Sequence, residues 1–321
     1  MTSRASLFVC ALSLLGFGAS LSVGPEGFGL PGAAEAARLV LIEIRLPRAL
    51  LGALVGAALG LAGAALQGYL RNPLAEPGLL GISGGAALGA VTAIHSGLAG
   101  AFALALPLGG LAGASIAAMA IVALAGMSGS TISLILAGVA VSAVTAALTT
   151  LALNLSANPF ASIEIMVWLM GSLTDRSLIH VWLAAPLILV GLAMLLTTGR
   201  DLEALSLGEE AAQNLGVDPQ GLRFKIIAGA ALAVGAATAV AGSIGFVGLV
   251  VPHLLRPFVG ESPGGLLWPS LFGGAALVLF ADVALRLFAP YGDLRLGVLT
   301  ALIGAPFFLW LVIQQRSELA P

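Results

Sequence analysis

The sequence predicts an all-α integral membrane protein with about ten transmembrane helices. Three observations carry that expectation. Of the 321 residues, 59% are hydrophobic and only 9% are charged. The apolar residues fall into runs near the roughly 20 residues that a helix needs to cross a bilayer. Glycine is abundant, at 43 residues, as suits helices whose backbones pack closely in lipid. A soluble chain carries about 25% charged residues, so a soluble enzyme, a nucleic-acid binder and a disordered protein are all excluded. Ten helices of about 20 residues leave about 120 residues for loops and termini. Residues 1–321 are therefore a single transmembrane domain with no appended soluble one.

The elements follow in order. Ala5 to Val23 is apolar and uncharged, with Arg4 before it. A signal peptide would have a shorter apolar core, of about 7–15 residues, so a retained helix is the better reading. A Gly/Pro-bearing loop runs from Gly24 to Gly32, and a charged stretch from Glu35 to Arg48 precedes the span Ala49 to Leu70. Further spans are expected near 79–97, 101–125, 132–153, 178–198, 222–242, 244–258, 266–288 and 296–313, with a short extra helix over Ser162–Ser172. The run 244–258 is short and interrupted by Gly and Pro. Gly52, Gly56, Gly60, Ala64 and Gly68 recur every four residues, as do Gly81, Gly85 and Gly89. Such ladders let backbones touch, which places the second and third spans deep in the bundle.

The longest polar interruption is 197–225. Ser206 followed by Glu209 reads as a capping box that starts a short helix, and Gly216 as its left-handed end. Asp218-Pro219 restarts a helix as N-cap and first residue. Leu207, Ala211 and Leu215 then share one face. A helix lying in lipid headgroups prefers Lys and Arg on its polar face, but this face is acidic. A helix offered to a partner protein fits better. On the fifth span, Gly138, Ser142, Thr145 and Thr149 form a polar stripe. Two readings stand side by side: hydroxyls bonded to their own helix, or the wall of a wet translocation path.

Absences narrow the chemistry. The only lysine is Lys225, so there is no P-loop. His95, His180 and His253 are scattered without metal-ligand spacing, and no catalytic residue or metal site is expected. Asp282 is the clearest acidic residue within a span, and Arg286 one turn later gives it a local salt link. A self-powered secondary transporter, the alternative reading, would show more buried ionisable groups. With a cytoplasmic N-terminus, Arg4, Arg71, Arg200, Arg223, Lys225, Arg256 and Arg316 fall inside. Arg38, Arg45, Arg48, Arg176, Arg286 and Arg295 fall outside. That is no positive-inside bias, so the outer arginines need another reason.

Arg45-Leu46-Pro47-Arg48 and Asn72-Pro73-Leu74-Ala75-Glu76-Pro77-Gly78-Leu79-Leu80-Gly81 carry a resemblance. So do Leu207-Gly208-Glu209, Gly245-Phe246-Val247-Gly248-Leu249 with Pro252-His253 and Arg256, and Gly297-Val298-Leu299-Thr300 with Gly304-Ala305-Pro306. The chain resembles the FecCD-type permease subunits of bacterial ABC importers for iron chelates, haem and vitamin B12, over nearly its whole length. The resemblance implies an ABC type II importer permease fold in the bacterial inner membrane, working as a homodimer. It implies two ATP-binding cassette subunits, which hold ATP and Mg so that this chain binds no cofactor, and a periplasmic substrate-binding protein. It places the coupling-helix loop at about 199–223, with Ser206, Leu207, Gly208, Glu209, Ala211 and Leu215 against the ATPase. Arg45, Arg48 and Arg286 fall at the positions that dock the binding protein. Asn72, Leu74, Ser130 and Thr131 fall at the cytoplasmic gate. The substrate itself is not readable.

Overall fold

The computed structural model describes residues 2–24, 27–29, 32, 34–126, 130–156, 158–288 and 294–319, without the side chains of residues 2, 3, 79 and 315–319. The side chain of Arg316, counted above among the inner charges, lies outside the described residues.

Helix α1 (Thr2–Ser22) ends in a small antiparallel pair, β1 (Val23–Gly24) and β2 (Gly27–Phe28). Next, α2 (Ala34–Leu39) runs through a wide π turn (Val40–Arg45) into α3 (Leu46–Leu70). Pro47 has no N–H to give the preceding turn, and the wide turn sits just before it. A 3-10 turn (Pro77–Leu80) leads to α4 (Ile82–His95), α5 (Leu98–Ala101), α6 (Ala105–Ala125), α7 (Thr131–Asn154) and α8 (Pro159–Leu169). Then come α9 (Leu178–Leu196), α10 (Gly199–Leu205), α11 (Glu209–Asn214), α12 (Pro219–Ala241), α13 (Val247–Val259), α14 (Pro263–Phe288) and α15 (Leu296–Leu319).

Each of the ten expected spans has a helix, and α8 takes the place of the expected extra one. Among the described residues, eight helical stretches are long and apolar enough to cross a membrane. Two expected spans are too short. At 1.5 Å per residue, α4 and α13 reach about 21 and 20 Å, against a hydrocarbon core of about 30 Å. Both follow an enclosed helix and an irregular stretch, and both begin at a left-handed residue, Gly81 (φ 75°) and Phe246 (φ 66°). Irregular backbone at membrane depth survives where protein covers it. Here, Ala75 and Leu80 of the first stretch and Ile244 of the second are buried.

The glycine ladder explains the core. A Cβ on Gly56 or Gly60 would collide with backbone of α14, at Gly274 and Ser270, and one on Gly63 with Gly248 of α13. Gly68 lies against Pro263 and Leu202, so one face of α3 is zipped along α14 to the loop end. Gly85 and Gly89 meet Gly113 and Gly109 of α6 in the same way, while Gly81 faces α7 instead. The expectation that the second span is deep holds. The sequence did not single out α12, which is almost as enclosed, from Leu222 to Ala241.

Candidate functional site

The bundle has two polar ends. The first holds the outer arginines. Arg45 is 7% exposed. Its guanidinium donates to Leu21 O (2.9 Å) and Gly29 O (2.7 Å), beneath Gly24 of the strand pair. Arg286 is 4% exposed. It donates to Ser20 O (2.7 Å), Val23 O (3.0 Å) and Ser20 Oγ (2.7 Å). The last carbonyls of a helix have no partner inside it, and these two arginines supply partners for α1. Arg176 does the same for α12, donating to Val240 O at 2.6 Å. Three of the six arginines expected outside thus cross-link to the backbone of a distant chain segment.

Asp282 completes this end. Its carboxylate takes the expected bonds from Arg286, with Nε at 3.0 Å. It also takes Arg48, through Nε (3.0 Å to each oxygen) and Nη2 (2.8 Å). The side chains of Arg48 and Asp282 are 17% and 2% exposed. The sequence found the link to Arg286 by its spacing of four. The one to Arg48 spans 234 residues, beyond any local signal. Removing Asp282 or Arg286, the two members buried outright, costs about 3–5 kcal/mol, because a charge is left without its partner. Of the three expected docking arginines, Arg48 alone keeps a partly exposed side chain in this conformation.

The second end holds the polar loop. The expected capping box is not formed. Ser206 ends α10 instead of starting a helix, and its Oγ donates to Glu203 O at 2.6 Å. Helix α11 starts at Gly208, whose φ of 109° no L residue adopts readily. The C-terminus of α11 is as expected: Gly216 (φ 88°) donates to Gln213 O and Val217 to Ala212 O, a Schellman motif. Asp218 caps α12 through Gln220 N and Gly221 N, both at 3.0 Å. The leucines of the expected apolar face lie open rather than packed on the bundle. Ala212 is the buried residue of α11, whereas Leu207 and Leu215 are 69% and 65% exposed. Ala211 is half-buried between them. Glu209 and Glu210 occupy the first turn, where the helix dipole favours negative charge.

This loop is fastened to the bundle at three points. Glu209 pairs with Arg71 at 3.4 Å, at the end of α3. Asp201 pairs with Lys225 of α12 at 3.5 Å. Glu203 accepts from Ser262 Oγ at 2.7 Å, and the same Oγ accepts from Gly265 N in the first turn of α14. None of these links was expected from the sequence, since each joins residues far apart in the chain.

The four expected gate residues fall at two separate places. Asn72 Oδ1 holds the turn by accepting from Leu74 N (2.9 Å), and Leu74 packs on Leu249, Val250 and Leu311. Ser130 caps α7 by accepting from Ser133 N (3.2 Å). Ser130 and Thr131 line a cavity of about 660 Å³ with Tyr69 and Arg223. Asn72 lies in another, of about 420 Å³, with Gln67, Arg71 and Arg256. Glu76 accepts from Phe246 N, tying the irregular turn to the start of α13.

The stripe on α7 resolves in part. Thr145 takes the self-bonding alternative: its Oγ1 donates to Val141 O (2.9 Å) and Ser142 O (3.0 Å), and its side chain packs on Gly84. Gly138 is buried against Gly81, while Ser142 and Thr149 are half-buried. The open face of α7 is apolar, with Leu136, Val139, Val144 and Leu148. Among the histidines, His180 Nδ1 accepts from Ser177 N at the start of α9. His253 lies edge-on to Phe307 and Trp310 of α15. Among the described residues, no group of three His, Cys, Asp or Glu could hold a metal ion.

Residues 6–314 match the FecCD transport family. The chain belongs to this family. Within it, the chain is 42% identical over 290 residues to the cobalamin import system permease of Halobacterium salinarum, covering 90% of this chain and 76% of that one. It is 37% identical over 291 residues to the hemin transport system permease of Yersinia pestis, covering 87% and 84%. A solved structure described as an inward-facing metal-chelate type ABC transporter shares the fold. It superposes with a TM-score of 0.87 at 32% identity, over 97% of this chain and 99% of that one. The FecCD chain is accordingly a multi-pass protein of the bacterial inner membrane with the ABC importer permease fold.

Proposed function

We propose that the chain is the permease of an ABC importer that carries a large metal chelate, such as a siderophore complex, haem or vitamin B12, into the cell. The observation that carries this reading is the loop end. Leu207 and Leu215 stand open to solvent beside two acidic residues, on a segment anchored to α3, α12 and α14. A soluble partner that buries these leucines gains a handle tied to the bundle. Two ATP-binding cassette subunits are that partner in this reading, and they supply ATP and Mg. This end is then cytoplasmic, and the arginine end receives a periplasmic binding protein.

Closure of the ATPases on ATP would move α10 and α11 together. The link from Glu203 to Ser262 passes the motion to α14. The link from Glu209 to Arg71 passes it to the turn holding Asn72 and Leu74. Leu74 rests on α13 and α15, so shifting the turn opens or closes the path. A second copy of the chain completes the path along the dimer axis. The apolar faces of α7 and α15, which include Leu136, Val139, Ile303 and Trp310, support such a pairing. Asp282 and Glu76 are held by internal donors, which leaves them poorly placed as the proton relay of a secondary transporter.

The test is uptake of labelled haem, cobalamin and a ferric siderophore into proteoliposomes that contain permease, ATPase subunits and binding protein. ATP-dependent accumulation of one of the three is expected. Accumulation without the ATPase subunits would overturn the reading. Cross-linking cysteines placed at Leu74 of both copies should stop transport; full transport with the link formed would exclude Leu74 from the gate.

A further inference from the structure

We infer that Asp282 is a positioning residue of the binding-protein docking site. It never touches the partner, and it fixes the guanidinium of Arg48 so that one edge stays open for an acidic side chain. The inference rests on the docking reading of the arginine end.

The geometry divides the Arg48 guanidinium into two edges. The Nε and Nη2 edge is closed on the Asp282 carboxylate, at 2.8–3.0 Å. Among the described residues, Nη1 makes no hydrogen bond, and the side chain is 17% exposed. A guanidinium carries five donors in a planar fork, so the Nη1/Nη2 edge can still take a second carboxylate end-on. Arg286 lacks this freedom, since its Nε, Nη1 and Nη2 are all engaged by Ser20, Val23 and Asp282, and Arg45 is 7% exposed with both terminal nitrogens turned onto the carbonyls of Leu21 and Gly29. Among the described residues, the hydrogen-bonded cluster and its neighbour Arg45 carry three cations and one anion, an excess of positive charge to attract an acidic lobe.

Asp282 removes a cost of docking. A free arginine side chain holds about 2 kcal/mol of rotamer entropy, part of which is lost on binding. A side chain already clamped in one pose has lost it beforehand, and preorganisation of this kind raises affinity. Asp282 is itself clamped from the other side by Arg286, which is tied to α1. The order of support is α1, Arg286, Asp282, Arg48, partner.

A double-mutant cycle tests this against a purely structural role. Affinity of the cognate binding protein is measured for the reconstituted permease–ATPase complex carrying Arg48→Ala, Asp282→Asn, or both. Arg48→Ala is expected to weaken binding about tenfold or more, and Asp282→Asn about fivefold, in the range of coupling for residues in contact. The double variant should bind no more weakly than Arg48→Ala alone. Losses that multiply in the double variant, or unchanged affinity in Asp282→Asn, would overturn the inference. Unchanged affinity in Arg48→Ala would instead remove the docking reading itself. Should Asp282→Asn fail to assemble, Arg48→Lys serves with Asp282 intact. An ammonium keeps the charge but lacks the second edge, so its affinity should fall close to that of Arg48→Ala; wild-type affinity would overturn the positioning role.

Discussion

The two ends of the bundle use charge in opposite ways. At the arginine end, Arg45, Arg286 and Asp282 are buried and bonded to one another or to backbone carbonyls. At the loop end, Arg71 and Glu209 are exposed and meet at 3.4 Å, with side chains 48% and 62% accessible. Buried charges lock segments together because leaving one unpaired is costly. Exposed pairs contribute about 0–1 kcal/mol and can reorganise. The first end therefore suits a rigid platform for docking, and the second a handle that moves.

The comparison can be broken most sharply at Arg286. Arg286→Ala should destabilise the protein by about 3–5 kcal/mol, read as a large drop in thermal unfolding temperature in detergent. A small drop would mean that the arginine end is not locked. Next in size is the double variant Leu207→Ser, Leu215→Ser. Each leucine buried by a partner is worth about 1.5–3 kcal/mol, so ATPase association should fall by well over tenfold while thermal stability stays the same. Reversing the charge at Arg48 should weaken binding-protein docking with the membrane complex still assembled, and unchanged affinity would remove its docking role. The smallest effect is expected for Arg71→Ala, within about 1 kcal/mol of stability. A loss comparable to that of Arg286→Ala would erase the contrast between the ends.

Local patterns carried much of this into the sequence. The spans were legible because apolar runs of helical length mean the same thing in any membrane chain. The Schellman turn at Gly216 and the cap at Asp218 were legible because their chemistry is confined to a few neighbouring residues. The capping box at Ser206 was misread for the same reason in reverse. The motif fits locally, but α10 ends on Ser206 and Gly208 takes the entry to α11. The glycine ladder predicted close packing and could not name α14 as its partner. The three expected docking arginines look alike in sequence, and only the fold separates two buried fasteners from one partly exposed side chain. That separation depends on Asp282, 234 residues from Arg48. The run 244–258 shows its shortness in its own Gly and Pro, whereas α4 reads as an ordinary span until the left-handed entry at Gly81 shortens it.

The division of labour between the ends is tested most directly by one crossed binding experiment. The Arg48→Glu variant and the Leu207→Ser, Leu215→Ser variant are each assayed for retention of the ATPase subunits and of the binding protein. The account predicts that Arg48→Glu loses the binding protein and keeps the ATPases. It predicts that the leucine variant loses the ATPases while its arginine end remains intact, as read by unchanged thermal stability. Loss of the ATPases in Arg48→Glu, or their full retention in the leucine variant, would contradict it.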